Sequence, residues 1–140
     1  MPRGLLDFEG TWRVTRTIDD RLGPPGRFEG TTCLTPDAHG LHYIETGQLT
    51  LGDGPSFQAD RSYLWRADGR LIHILFSDDR PFHRFDPNAG GAGERHLCAP
   101  DIYDVIYEFS QWPHWTTIWT VTGPRKDYVM TTEFSVLPAV

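Results

Sequence analysis

The chain has 140 residues and a net charge of −6, with 13 Lys and Arg against 19 Asp and Glu. This length suits one domain, so we expect residues 1–140 to form a single folded unit. Hydrophobic residues make up 39% and include five Trp and eight Phe, which excludes a disordered chain. The acidic balance without a basic run argues against binding nucleic acid, and no apolar stretch is long enough for a membrane span.

Compartment and cofactor use are suggested by two further features. Residues 1–10 lack the cationic start and long apolar run of a signal peptide. The only two cysteines, Cys33 and Cys98, are far apart and match no metal-ligand spacing. We therefore expect a cytoplasmic protein with free thiols, no metal and no cofactor.

The predicted elements are almost all strands. Helical periodicity is nearly absent, and a short turn at 4–8 is the best helical candidate. Elsewhere apolar and polar residues alternate between turn signals such as Asp68-Gly69, which is typical of antiparallel strands. In chain order the predicted strands are 11–19, 27–35, 41–51, 57–66, 70–77, 82–86, 94–98, 102–111, 115–122 and 127–136. Short connections and polar outer faces favour an all-β, antiparallel, up-and-down β-barrel of about 8–10 strands, wide enough for one small ligand.

Three charged side chains interrupt the apolar inner faces of these strands: Arg16, Glu45 and Arg61. Alternate residues of a strand share a face, and an unpaired charge in a dry core is costly. These three must therefore be paired, hydrated or bound to a ligand. The same inner face carries five tyrosines, Tyr43, Tyr63, Tyr103, Tyr107 and Tyr128.

The sign of the three charges suggests the kind of ligand. Their sum is +1, and an Arg guanidinium suits a carboxylate, so we expect a small organic anion in an aromatic-lined cavity. An internal ion pair between Glu45 and one Arg, with the other Arg at the rim, would produce the same sequence pattern.

Other polar and aromatic groups leave alternatives open. His83, His96 and Cys98 could together bind zinc or haem iron. Alternatively, the histidines have a structural role. Apolar and polar residues do not alternate clearly enough in these short strands to show which face each side chain is on. The simplest interpretation of one aromatic group is that it belongs to the hydrophobic core: Trp112, Trp115, Trp119 and Tyr107. A platform on which bases of single-stranded nucleic acid stack is the alternative, and the net negative charge of the chain disfavours it. Exposed edge residues leave a homodimer possible.

Several motifs carry a family resemblance over nearly the whole chain. The opening Phe8-Glu9-Gly10-Thr11-Trp12 is similar to the Gly-x-Trp start of lipocalins and other calycins. The set Phe8-x-Gly10-x-Trp12, Tyr43-x-Glu45-x-Gly47, Arg61-x-Tyr63, Pro81-Phe82-His83, His96-x-Cys98, Asp101-x-Tyr103 and Val121-x-Gly123-Pro124-x-Lys126-Asp127-Tyr128 resembles a small bacterial family of domains of unknown function. The resemblance implies a lipocalin-like barrel and no established activity. It also implies that Trp12 packs near a basic residue, for which Arg125 or Lys126 is the candidate.

Relatives within this superfamily suggest three uses of the barrel interior. Fatty-acid-binding members hold a ligand carboxylate with internal Arg and Tyr. Some lipocalin-like barrels decarboxylate phenolic acids. If this chain did the same, Glu45 would transfer a proton, provided that burial raised the pKa of Glu45. Related barrels bind haem through a His. Ligand binding is our main expectation, enzyme activity stays open, and the predicted ligand-binding residues are Arg16, Tyr43, Glu45, Arg61, Tyr63, His83, His96, Tyr103 and Tyr128.

Overall fold

The computed structural model describes residues 2–137, which form one antiparallel sheet curled into a nearly closed barrel. A 3₁₀ turn, Leu5–Phe8, precedes the first strand. The strands are β1 Gly10–Asp20, β2 Gly26–Pro36, β3 Leu41–Leu51, β4 Ser56–Asp68, β5 Leu71–Phe76, β6 Pro81–Phe85, β7 Gly91–Ala92, β8 His96–Cys98, β9 Asp101–Glu108, β10 Trp115–Gly123 and β11 Lys126–Val136. The predicted barrel with its N-terminal turn is confirmed. No helix in this part of the chain is long and apolar enough to cross a membrane.

Pairing follows the chain order along most of the sheet, and one further contact brings the two ends of the sequence together. Each strand from β1 to β6 pairs with the next, β9, β10 and β11 do the same, and β1 pairs with β11. The short strands β7 and β8 both pair with β9. This up-and-down arrangement gives every strand an inner and an outer face, because successive side chains alternate.

The barrel is incomplete at one place, which we call the seam: β6 and β9 lie side by side without strand pairing. Residues 93 and 94 bridge them, since the Gly93 N–H donates to the Val105 carbonyl at 2.8 Å and the Glu94 N–H to the Arg84 carbonyl at 3.0 Å. On the inner side, the rings of Phe85 and Tyr107 stack with centroids 3.9 Å apart. The seam is therefore closed by a few bonds and by side-chain packing.

The 3₁₀ turn closes one end of the barrel. Phe8 is fully buried, and its ring packs edge-on against a layer of aromatic rings from five other residues, Trp65, Phe85, Phe109, Trp112 and Trp115. The Trp12 indole N–H donates to the Phe8 carbonyl at 2.9 Å. This closed end is thus dry and aromatic, and it directs any ligand to the opposite end of the barrel.

The predicted contact of Trp12 with Arg125 or Lys126 is wrong. Trp12 pairs with Val136, whereas Lys126 starts β11 at the other end of the barrel, because β1 and β11 are antiparallel. A cation that does lie over a tryptophan at the closed end is Arg3, whose guanidinium carbon lies 4.3 Å from the centre of the Trp112 ring.

Candidate functional site

Arg16 and Glu45 form a buried ion pair halfway along the barrel. The Arg16 Nη1 and Nη2 groups donate to the two Glu45 carboxylate oxygens at 2.9 and 2.8 Å. The Arg16 Nε–H donates to Thr132 Oγ1 at 2.7 Å, and the Tyr43 hydroxyl donates to Glu45 Oε1 at 2.7 Å. Register explains the neighbours of the pair, since Arg16 lies opposite Thr132 on β11 and Glu45 lies opposite Arg61 on β4, while the ion pair itself reaches from β1 to β3 across β2. Arg16 is therefore committed to the protein and not to a ligand.

Glu45 stays ionised in this setting. Burial alone would raise the pKa of Glu45, but the hydrogen bonds and charge of Arg16, together with the charge of Arg61, leave that pKa below its ordinary value. The condition that would make Glu45 a proton donor, a pKa raised by burial, is not met. Its oxygens are already taken by hydrogen bonds, which also makes it a poor base.

Arg61 differs from Arg16 in exposure and in partners. Its Nε lies 3.3 Å from Glu45 Oε2, and its side chain is 33% exposed, against 5% for Arg16. The guanidinium carbon lies 5.6 Å from the centre of the Trp119 ring. Glu45 is the sole carboxylate within ion-pair distance of Arg61 among residues 2–137, and it is shared with Arg16. The group of three charges thus retains one positive charge, on the side that faces the open end.

A large cavity opens at that end, and we call it the outer cavity. Its volume is about 750 Å³. The walls combine aromatic rings with a few polar groups: Asp60, Arg61, Tyr63, Phe76, Arg80, Pro81, Phe82, His96, Leu97, Cys98, Tyr103, Trp119, Tyr128 and Met130. An apolar pocket with a small number of polar anchors is the usual form of a small-molecule site.

A second, much smaller space, the inner cavity, lies deeper in the barrel. It holds about 30 Å³, room for one or two non-hydrogen atoms. It is lined by Arg16, Tyr43, Arg61, Tyr63, Trp65, Ile74, Phe82, His83, Tyr107, Trp115, Thr117, Trp119 and Phe134. Arg61, Tyr63, Phe82 and Trp119 line both cavities, so they form the boundary between them.

Comparison with known proteins assigns the chain to a family. Residues 8–136 match a family of unknown function, DUF6314. The chain belongs to DUF6314. No curated protein matches it by sequence.

Two solved structures share the fold of this DUF6314 chain. An S-type phycobiliprotein lyase, CPES, from Guillardia theta is 6% identical with a TM-score of 0.59, and the match covers 95% of this chain and 90% of that one. A DUF3598 protein of unknown function from Nostoc punctiforme is 13% identical with a TM-score of 0.56; the match covers 95% of this chain and 48% of that one. At these identities the comparisons show a common calycin-like barrel.

The two histidines of the site occupy different environments. His83 is buried and its Nε2 is hydrogen-bonded to the Tyr107 hydroxyl. Burial, reinforced by the charge of His96, lowers the pKa of His83 to about 3, while burial raises the pKa of Tyr107 well above its ordinary value. Both groups are therefore neutral near pH 7. His96 is half-buried on the wall of the outer cavity.

The predicted set of His83, His96 and Cys98 is not brought together as a metal site. The ring of Phe82 lies between the histidines, with centroids 4.4 Å from His83 and 5.1 Å from His96. No group of three potential metal ligands occurs among residues 2–137. Since His83 lines only the inner cavity, which has no room for haem, the haem hypothesis now depends on His96, which lines the outer cavity.

The remaining predicted residues divide between the two cavities. Tyr103 and Tyr128 line the outer cavity, Tyr43 lines the inner one, and Glu45 lines neither. At the mouth, Lys126 donates to the Tyr103 hydroxyl and pairs with Asp101, each at 2.9 Å. Sequence reasoning missed Phe82 and Trp119 as boundary residues, although the alternation along 115–122 places Trp119 inward.

Proposed function

We propose that the outer cavity binds a small organic anion whose charged group lies against Arg61. The observation that carries this proposal is the positive charge that remains at Arg61 after Arg16 and Glu45 have paired. A ligand carboxylate would complete the neutralisation of this group of charges. Planar guanidinium groups bind carboxylates through two parallel hydrogen bonds, which also orients the ligand.

The walls of the outer cavity suggest what the uncharged part of the ligand is. Phe76 and Phe82 stack with centroids 4.8 Å apart, and Phe82 meets Trp119 edge-on at 5.2 Å. Such walls favour an aromatic or aliphatic group, because burying apolar surface is favourable. A volume of about 750 Å³ suits a ligand of drug-like size. The shared fold with the phycobiliprotein lyase supports a binding barrel in general and does not specify a ligand.

Two fluorescent probes that differ in charge test the proposal. We expect 8-anilinonaphthalene-1-sulfonate to bind the protein at least about ten-fold more tightly than uncharged N-phenyl-1-naphthylamine, which lacks the sulfonate. Arg61→Met should remove this preference. Arg13→Met, which removes an exposed arginine from the outer face of β1, should leave it unchanged. Equal affinity for both probes in the unaltered protein would overturn the anion proposal.

A further inference from the structure

Three of the residues that line the inner cavity each carry a buried nitrogen atom without a protein hydrogen-bond partner. The atoms are Trp65 Nε1, Trp115 Nε1 and His83 Nδ1, and no acceptor or donor among residues 2–137 pairs with them. All three side chains are at least 97% buried. Buried polar groups are normally paired, and three exceptions around one small cavity indicate that a polar group belongs there.

The chemistry of these nitrogens defines that group. An indole N–H can only donate, so the two Trp side chains require an acceptor. Since His83 and Tyr107 are both neutral, one hydrogen lies between them. Among residues 2–137 the Tyr107 hydroxyl has no hydrogen-bond partner other than His83, so it uses its hydrogen only by donating to His83 Nε2. The imidazole hydrogen is then on Nδ1, which makes all three nitrogens donors.

Size and position limit the acceptor further. The inner cavity has room for one or two atoms, and Arg61 lines it together with the outer cavity. A ligand whose carboxylate lies against Arg61 can therefore place in the inner cavity an oxygen only one or two bonds away from that carboxylate. The rest of the ligand has to extend into the outer cavity.

We propose that the ligand is a 2-oxo acid, with its carboxylate against Arg61 and its ketone oxygen in the inner cavity. The ketone oxygen has two lone pairs and would accept hydrogen bonds from the Trp65 and Trp115 indoles. The chain that follows C2 would lie among the aromatic rings of the outer cavity. This inference rests on the proposed anion site and specifies the class of anion.

A matched pair of acids tests the inference. 2-Oxo-4-phenylbutanoate and 4-phenylbutanoate differ only at C2, which is a ketone in the first acid and a methylene group in the second. Their affinities for the protein can be measured by calorimetry. We expect the 2-oxo acid to bind at least about ten-fold more tightly, because it pairs donors that the other acid leaves unpaired. Trp65→Phe or Trp115→Phe should reduce the ratio of affinities towards one. Trp12→Phe is the control, because the Trp12 indole already donates to the Phe8 carbonyl, and the ratio should not change.

A second measurement requires no variant. In protein labelled with ¹⁵N at tryptophan, the 2-oxo acid should move the Trp65 and Trp115 indole N–H signals downfield, and 4-phenylbutanoate should not. Binding of both acids with equal affinity and unmoved indole signals would overturn the 2-oxo acid and leave the anion site standing. Failure of both acids to bind, with no preference for the charged fluorescent probe, would overturn both proposals.

Discussion

At the scale of single residues, Glu45 is the carboxylate at which two guanidinium groups meet. Arg16 approaches it with both Nη atoms and is buried with it, whereas Arg61 has its Nε 3.3 Å from Glu45 Oε2 and remains partly exposed. One ionised carboxylate thus holds a structural arginine in place and keeps a second arginine near the cavity. Removing its charge would affect both.

Glu45→Gln should strongly destabilise the protein. The change leaves Arg16 buried beside a neutral amide, and breaking a buried ion pair in this way typically costs about 3–5 kcal/mol in the free energy of unfolding. Urea denaturation measures the loss. The control is Glu133→Gln, which alters an exposed carboxylate and should change stability by less than about 0.5 kcal/mol.

A double variant separates the charge from the packing. Arg16→Met combined with Glu45→Leu removes both charges of the pair, so it should be less destabilising than Glu45→Gln alone. A loss below about 1 kcal/mol in Glu45→Gln would contradict the assignment of a buried, ionised Glu45.

At the scale of elements, strands β2 and β3 approach each other closely at two facing glycines. Gly30 and Gly47 are direct partners across this pair. A Cβ added to Gly47 would lie 2.6 Å from the Phe28 ring and also clash with the Glu29 carbonyl oxygen. The Phe28 ring in turn lies 5.1 Å from the Arg16 guanidinium carbon. The glycines thus let β2 place an aromatic ring against the buried ion pair.

Gly47→Ala should therefore destabilise the barrel. Forcing a methyl group into a packed interior typically costs about 1–3 kcal/mol, and we expect thermal and urea unfolding to show a loss of this size. Gly4→Ala is the matched control, because nothing lies within 4 Å of its added Cβ. An unchanged unfolding free energy in Gly47→Ala would show that the strands can separate there without cost.

Strand prediction succeeded where alternation is long and failed where strands are short or irregular. The long strand Leu41–Leu51 has the predicted bounds, because apolar and polar residues alternate over most of it, with Ile44 and Glu45 as the exception. Gly91–Ala92 was missed, since two small residues carry no pattern. In β6, Phe82 and His83 are both buried although they are neighbours, because the register of β5 and β6 shifts between Ile74 and Leu75. A bulge of this kind turns two consecutive side chains inward, and no alternation rule predicts it.

At the scale of the whole molecule, the site depends on which strands become neighbours around the barrel. Alternation placed Arg16, Glu45 and Arg61 inside, but it could not show that Arg16 would take both oxygens of Glu45. That pair joins β1 to β3 across the intervening β2, so it depends on how side chains from non-adjacent strands meet inside the barrel. The division into two cavities depends on the positions of Phe82 and Trp119, which also arise from tertiary packing.

The stability of the whole chain should fall in acid partly because of His83. Its pKa is about 3 in the folded protein against an ordinary value of 6.5, so protonation favours the unfolded chain. The contribution of neutral His83 to the free energy of unfolding is complete above pH 6.5 and is lost as the pH falls towards 3. Between about pH 7.5 and about pH 5 the unaltered protein should lose about 2 kcal/mol more unfolding free energy than His83→Gln. The control His39→Gln alters an exposed histidine and should follow the unaltered protein; parallel pH profiles for all three would contradict the prediction.

The seam between β6 and β9 has a consequence for self-association. A strand edge without a full set of backbone partners is a template on which another chain can add a strand and begin to aggregate. Here the Glu94 N–H already occupies the Arg84 carbonyl, and the Arg84 guanidinium forms ion pairs with both Glu94 and Asp68. Edge strands that carry charges and are covered by a loop resist such addition. The same short bridge that completes the barrel therefore also protects the protein from polymerising through its own edge.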